Sequence, residues 1–140
     1  MSRYILDTDH VTLFQYGQPK IAQRAKEVGG MNIFVTTVTL EEQLRGRLAG
    51  IQRANRRPEQ LTIAYENLQI TLLYFCSMNL LNFDNAAYNC YQSLRQQKIR
   101  IGTHDLRIAA IALVNQGIVV TRNQQDFGKV PGLDIDDWTI

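Results

Sequence analysis

Cysteine is almost absent from this chain: Cys76 and Cys90 stand apart, with no CxxC pair and no His/Cys cluster beside either. That leaves no basis for a disulfide framework or a thiolate metal site, and both are expected to be reduced thiols packed in the core. Long apolar runs are missing too, none approaching the roughly eighteen residues that suggest a membrane span. Only Tyr4, Ile5 and Leu6 separate Arg3 from Asp7, too few for a signal peptide. A cytoplasmic protein without a membrane partner is therefore expected. There is no internal repeat, low-complexity tract or linker. With 140 residues, 45% of them hydrophobic and 20% charged, the expectation is one domain spanning 1–140, large enough to bury a core without cross-links. A net charge of +2 is too small to argue for nucleic acid by itself.

What the chain does have is a regular alternation of short apolar runs with helix-like segments. Tyr4-Ile5-Leu6 reads as a buried strand that ends abruptly in Asp7-Thr8-Asp9-His10, followed by a helix over Val11–Tyr16. Pro19 opens a second helix, in which Ile21, Ala22, Ala25 and Val28 recur at helical spacing until Gly29-Gly30 stops it. A strand follows over 32–36. Thr39-Leu40-Glu41-Glu42 then opens a helix with Leu40, Leu44, Leu48 and Ile51 on one face. The next helix, Glu59 to Met78, carries Leu61, Ala64, Tyr65, Leu68, Leu72 and Phe75 as a core stripe. Leu80–Phe83 reads as a strand, Asp84 as the N-cap of a helix through Leu94, and Thr103 as the start of a helix to Gln116 stopped by Gly117. Ile118–Val120 is a buried strand delivering Thr121, and Leu133–Trp138 a closing edge strand. This is the βα pattern of an α/β fold with a parallel sheet.

In such a sheet the residues just beyond the carboxyl ends of the strands line the ligand crevice. Asp7 follows the first strand, Glu42 lies in the first turn of the helix after the second, Asp105 in the first turn of a later helix, and Asp126 follows the strand ending at Thr121. Each has a structural explanation. Asp7 can cap the next helix, Glu42 stands three residues after Thr39 as in a capping box, Asp105 is a favoured first-turn residue and Asp126 can make a turn. Four acids at one edge are harder to explain so, because gathered carboxylates repel one another unless a cation neutralises them. Oxygen donors without Cys or paired His suggest Mg²⁺ or Mn²⁺. His10 and His104 sit beside these acids and are read as polar neighbours.

Charge is unevenly spread. Eight of the fifteen basic residues lie between Lys20 and Arg57, and the tail is acidic, with Asp126, Asp134, Asp136 and Asp137. A basic stripe on a helix is commonly a solvated face; where it serves RNA, Arg45, Arg47, Arg53 and Arg122 are the candidates.

The segments Ile5-Leu6-Asp7-Thr8-Asp9, Thr36 to Glu42 with Gly46, Asp105 to Ala110 with Ala112, Thr121-Arg122-Asn123 with Asp126-Phe127, and Val130-Pro131-Gly132-Leu133 resemble the PIN-domain ribonucleases. Within that group they look most like the VapC-type toxins of bacterial toxin–antitoxin pairs. No one motif is specific, but their order spans nearly the whole chain. The resemblance implies a PIN-like three-layer α/β/α fold with a small, mostly parallel central sheet. It implies that Asp7, Glu42, Asp105 and Asp126 hold the metal, with Thr8, Thr121 and Asn123 as catalytic neighbours. One position departs: many relatives carry Asp two residues after the threonine of the last motif, where this chain has Asn123, so either Asp126 or Asn123 completes the site. The implied activity is a Mg²⁺- or Mn²⁺-dependent endoribonuclease acting on a structured RNA such as tRNA or rRNA. The implied partners are a cognate VapB-type antitoxin and a second copy of the chain, the homodimer being favoured also by apolar residues near Ile51 and Tyr65.

Two other classes compete. Asp7-Thr8-Asp9 also satisfies the DxD of haloacid-dehalogenase-like phosphohydrolases, with Asp7 as nucleophile, but that family needs a lysine near the later acid and Lys129 is poorly placed. An inactive PIN-like binding module would keep the fold without the acids, and all four are retained. Finally, bare acids attract a guanidinium, so the antitoxin is expected to place an arginine among Asp7, Glu42 and Asp105.

Overall fold

The computed structural model describes residues 2–140. Its centre is a five-stranded sheet in the order β3-β2-β1-β4-β5, formed by β1 (Arg3–Leu6), β2 (Ile33–Thr36), β3 (Asn79–Leu81), β4 (Gly117–Val120) and β5 (Asp134–Asp136). Every pairing is parallel, with Ile5 opposite both Phe34 and Val119, and Val120 opposite Asp136. Strands covered on both faces need apolar residues on both. Ile5 and Val119 accordingly face one cluster, with Ala87, Tyr91 and Leu94 of α5 (Asn85–Gln96) and Leu106 and Ile108 to Ala112 of α6 (Thr103–Val114). Leu6, Val35 and Val120 face the other, with Val11 of α1 (Thr8–Gln15), Ile21 and Ala25 of α2 (Pro19–Val28), and Trp138. The expected three layers are there. The helices α3 (Thr37–Ala54) and α4 (Pro58–Cys76) pack against each other, and α7 (Gln124–Phe127) is a single turn. Among the described residues no helix is long and apolar enough to cross a membrane.

Several boundaries differ from expectation for identifiable reasons. The first helix begins at Thr8 rather than Val11, because Asp7 Oδ1 accepts the Thr8 N–H at 2.7 Å and starts it directly at the strand end. Likewise α3 begins at Thr37: the hydroxyl of Thr36, at the end of β2, accepts the Thr39 N–H at 3.1 Å. Glu42 therefore lies beyond the first turn, and the capping-box explanation for it fails. Strand β3 stops at Leu81 because the Phe83 N–H turns aside to the Thr37 hydroxyl at 3.2 Å. The α4 stripe is only partly core: Phe75 is buried, whereas Tyr65 and Leu72 are more than half exposed. Gly117 is not the stop of α6. The left-handed residue there is Gln116, with φ 52°, and Gly117 opens β4 against Ile5, where a Cβ would meet Ile5 Cδ1 at 2.5 Å. Asp84 caps α5 as expected, accepting the Ala87 N–H at 2.9 Å. The thiols are not both core residues: Cys76 is exposed, and Cys90 is half-buried against the α5–α6 core, where burial pushes its thiol up.

Candidate active site

Because all the strands run the same way, their carboxyl ends open on one edge, and the acids arrive there from four elements. Asp7 forms the floor, only 7% exposed. Its Oδ1 accepts from Thr8 N, and its Oδ2 accepts the hydroxyl of buried Thr121 at 2.9 Å. Burial pushes its carboxyl up to about 6; the Thr8 and Thr121 donors work against that, and the nearby charges of Asp9 and Asp105 add to it. Asp105 is likewise raised, first by burial and then by Glu42 and Asp126, with His104 opposing. These carboxylates thus lie within one another's fields.

Glu42 reaches the edge from α3, and its Oε2 accepts the Thr8 hydroxyl at 3.1 Å. His104 lies across its other side, Nδ1 at 3.4 Å from Glu42 Oε1 and Nε2 at 3.5 Å from Glu41 Oε1. Asn123 and Asp126 stand together at the edge. Asn123 Nδ2 donates to Asp126 Oδ2 at 3.1 Å and to Asp105 Oδ2 at 3.4 Å, while its Oδ1 caps α7 through the Asp126 N–H. Its own N–H donates to the Thr121 hydroxyl at 2.9 Å, which ties the loop to the Asp7 floor. Lys129 lies 3.7 Å from Asp126 Oδ1 and is spent there.

Could this edge hold a cation? The side chains offered are carboxylate, amide and hydroxyl oxygens, the donor set of Mg²⁺ or Mn²⁺. Burial first, and neighbouring carboxylates second, raise the carboxyls of Asp7 and Asp105, so a cation there would favour their ionised forms. Among the described residues, no three acidic, imidazole or thiol side chains converge tightly enough as they stand to coordinate one ion. The Asn123 amide occupies the space between two of them. The residues fit a hard cation in chemistry, and closing on one requires side-chain rotation.

The arginines divide. Arg122 sits at the rim, its Nε donating to Asp9 Oδ2 at 3.0 Å. Arg45 pairs with Glu41 at 2.6 Å. Arg47 donates from Nε to the buried Thr71 hydroxyl at 2.9 Å, so part of its role is to lock α3 to α4. Arg53, in the last turn of α3, has no such partner among the described residues. Sequence reasoning passed over Asp9, whose charge is felt by both Asp7 and Asp105, and buried Thr39, whose hydroxyl lies 3.4 Å from that of Thr8. The signal for Asp9 was its place in Asp7-Thr8-Asp9; Thr39 carried none beyond helix capping.

No family model matches the chain. Individual proteins do. A ribonuclease VapC from Rickettsia bellii is 31% identical over 103 residues, covering 73% of each chain. Ribonuclease VapC1 from Haemophilus influenzae is 26% identical over 144 residues, 97% of this chain and 98% of that one. The tRNA(fMet)-specific endonuclease VapC of Salmonella typhimurium is 24% identical over 142 residues, 99% of both. Among solved structures, the DNA-bound VapBC of Salmonella typhimurium superposes with a TM-score of 0.78 at 22% identity, covering 99% of both chains. VapBC-1 of nontypeable Haemophilus influenzae gives 0.76 at 23% identity and 98% coverage of both.

Proposed function

The chain belongs to the VapC ribonucleases, PIN-domain toxins of toxin–antitoxin pairs, and on that premise we propose that it is an endoribonuclease hydrolysing phosphodiester bonds of a structured RNA such as tRNA, in the cytoplasm, under the control of a VapB-type antitoxin. The observation that carries this reading is the convergence of acids at one edge of a parallel sheet, where Thr8 joins Asp7 to Glu42 and Asn123 joins Asp105 to Asp126. A structural cap needs no such neighbours. The phosphohydrolase alternative loses its support: Asp7 receives two hydrogen bonds from Thr8 and Thr121, and Lys129 is engaged with Asp126. The retained acids speak against an inactive module.

Asp7, Glu42, Asp105 and Asp126 would hold a divalent ion, Mg²⁺ with Mn²⁺ as substitute, with Thr8, Thr121 and Asn123 as polar neighbours. Such an ion, when bound, screens the phosphodiester and makes water a stronger nucleophile near neutral pH. The chain's own residues prepare the ground. Thr121 fixes Oδ2 of Asp7 while the Thr8 N–H fixes Oδ1, so the carboxylate cannot swing into the core. The Thr8 hydroxyl and His104 hold Glu42 from opposite sides. Asn123 keeps Asp105 and Asp126 apart. At the rim, Arg122 with Arg45, Arg47 and Arg53 of α3 would take RNA phosphates.

The relative named for tRNA(fMet) supports the choice of a structured RNA, and the VapBC neighbours support an antitoxin. The test is cleavage of bulk tRNA with Mg²⁺ by wild type, Asp7→Asn and Asp105→Asn. Cleavage by wild type and none by folded variants is expected; variants as active as wild type would overturn the metal assignment.

A further inference from the structure

A continuous chain of hydrogen bonds runs from the last residues of the protein to the rim of the acid pocket. His10 is completely buried. Its Nε2 accepts the backbone N–H of Trp138 at 3.2 Å, and its Nδ1 lies 3.2 Å from Asp9 Oδ1. A backbone N–H can only donate, so Nε2 is bare and the proton of the ring sits on Nδ1, aimed at Asp9. Asp137 Oδ1 lies 3.5 Å from Nε2, but it already accepts the N–H and hydroxyl of Thr139 at 2.8 and 2.6 Å, so it does not displace Trp138.

The other oxygen of Asp9 accepts Arg122 Nε at 3.0 Å. With one donor on each oxygen, the carboxylate has a single orientation. The anchor at the far end is firm: Trp138 is 1% exposed, with the Arg24 guanidinium 5.6 Å from its ring centroid and Tyr4 packed at 5.5 Å.

At the near end, Arg122 follows Thr121, the residue that binds Asp7. It uses Nε on Asp9, and its terminal nitrogens have no hydrogen bond among the described residues, while the side chain is 55% exposed. Thr121 donates to Asp7 Oδ2 at 2.9 Å and Asp9 lies two residues after Asp7, which sets this Asp9–Arg122 pair at the pocket itself. A guanidinium gripped by Nε presents two parallel N–H groups, the geometry that matches a phosphate bidentately.

From this we propose that His10 is a positioning residue for substrate: held by the Trp138 backbone, it orients Asp9 so that Arg122 turns its terminal nitrogens toward an RNA phosphate at the rim of the acid pocket. The proposal rests on the ribonuclease reading. It gives the buried histidine a role in binding rather than in proton transfer, and it links the C-terminal turn to substrate affinity.

The experiment measures binding of fluorescently labelled bulk tRNA across a salt series in an Asp105→Asn background, which is expected not to cleave. Arg122→Ala is expected to weaken binding about tenfold and to lower the slope of log affinity against log salt by about one, the loss of one phosphate contact. His10→Gln can satisfy Trp138 or Asp9 but not both, and should shift affinity and slope in the same direction. The double variant should bind no worse than Arg122→Ala alone. A His10→Gln protein that melts earlier yet keeps parental affinity and slope overturns the proposal, because a purely structural histidine would behave so. If that variant does not fold, Arg122→Lys decides: it keeps the charge but loses the Nε–H that Asp9 grips, so binding must fall toward that of Arg122→Ala, and parental binding overturns the chain. A parent that binds no tRNA overturns the ribonuclease reading together with this proposal, whereas binding indifferent to His10 overturns the proposal alone.

Discussion

The hydroxyl of Thr121 donates to Oδ2 of Asp7 at 2.9 Å, joining residues 114 apart in the chain across the pairing of β1 with β4. That bond holds a buried carboxylate whose ionisation burial opposes, and the conflict between stability and function at Asp7 supplies the first expectations.

Asp7→Asn should abolish RNA cleavage, by at least about a hundredfold if a charged ligand is lost, yet leave the metal-free protein at least as stable as wild type at pH 7. Asn still accepts from the Thr8 N–H and removes a buried charge. Cleavage assays beside thermal melts in a chelator test both halves; a destabilised but active variant would return Asp7 to a simple cap.

The pH dependence has a definite sign. The folded carboxyl of Asp7 titrates at about 6 against an ordinary 3.8, so the folded state holds the proton more tightly than the unfolded one. The associated stability is fully present below the unfolded value and is lost as pH rises through about 6, a change on the order of 3 kcal/mol. Melting temperature in chelator should therefore fall between pH 4 and 7, other groups being equal. Adding Mn²⁺ should restore it at pH 7 and much less at pH 4, since a ligand that prefers the ionised site competes with protons. A melting temperature insensitive to Mn²⁺ at both values would count against the site.

Glu42→Gln separates chemistry from capping. Thr36, not Glu42, caps α3, so Thr36→Ala should cost about 1 kcal/mol and Glu42→Gln should leave melting near wild type while cutting activity sharply. The opposite pattern in the two variants would show the assignment reversed.

Leu72 on α4 is 53% exposed, and Tyr65, two turns before it on the same face, is 56% exposed. Patches of this kind mark interfaces, and a homodimer is the expected occupant. Sedimentation at micromolar concentration should give a dimer, and Leu72→Glu should shift it toward monomer with the helix intact. A wild-type monomer under those conditions would refute it.

The antitoxin is expected to place an arginine among Asp7, Glu42 and Asp105, because uncompensated carboxylates attract a guanidinium where they repel an RNA backbone. Excess Mg²⁺ should then partly relieve inhibition by the partner encoded beside the gene. Complete inhibition indifferent to Mg²⁺, followed through tRNA cleavage, would exclude that mode.

The sequence by itself determined the alternation of strands and helices, the parallel sheet and the placing of Asp7, Glu42, Asp105 and Asp126 toward its carboxyl edge, because these follow from local periodicity and from the fixed direction of a βα unit. It also marked Asp84 as a cap, a choice made by contacts within three residues. What it misjudged depended on contacts between distant segments. Whether α3 is capped by Thr36 or by Thr39 is decided by where β2 ends, and the cap at Thr36 is what removed the capping-box explanation for Glu42. Whether Tyr65 and Leu72 are core or surface depends on how α4 lies against α3, which periodicity does not encode. Only tertiary structure decided that Asn123 stands between Asp105 and Asp126, and that Trp138 reaches back to His10, since residues 128 apart meet only after the sheet has closed around them.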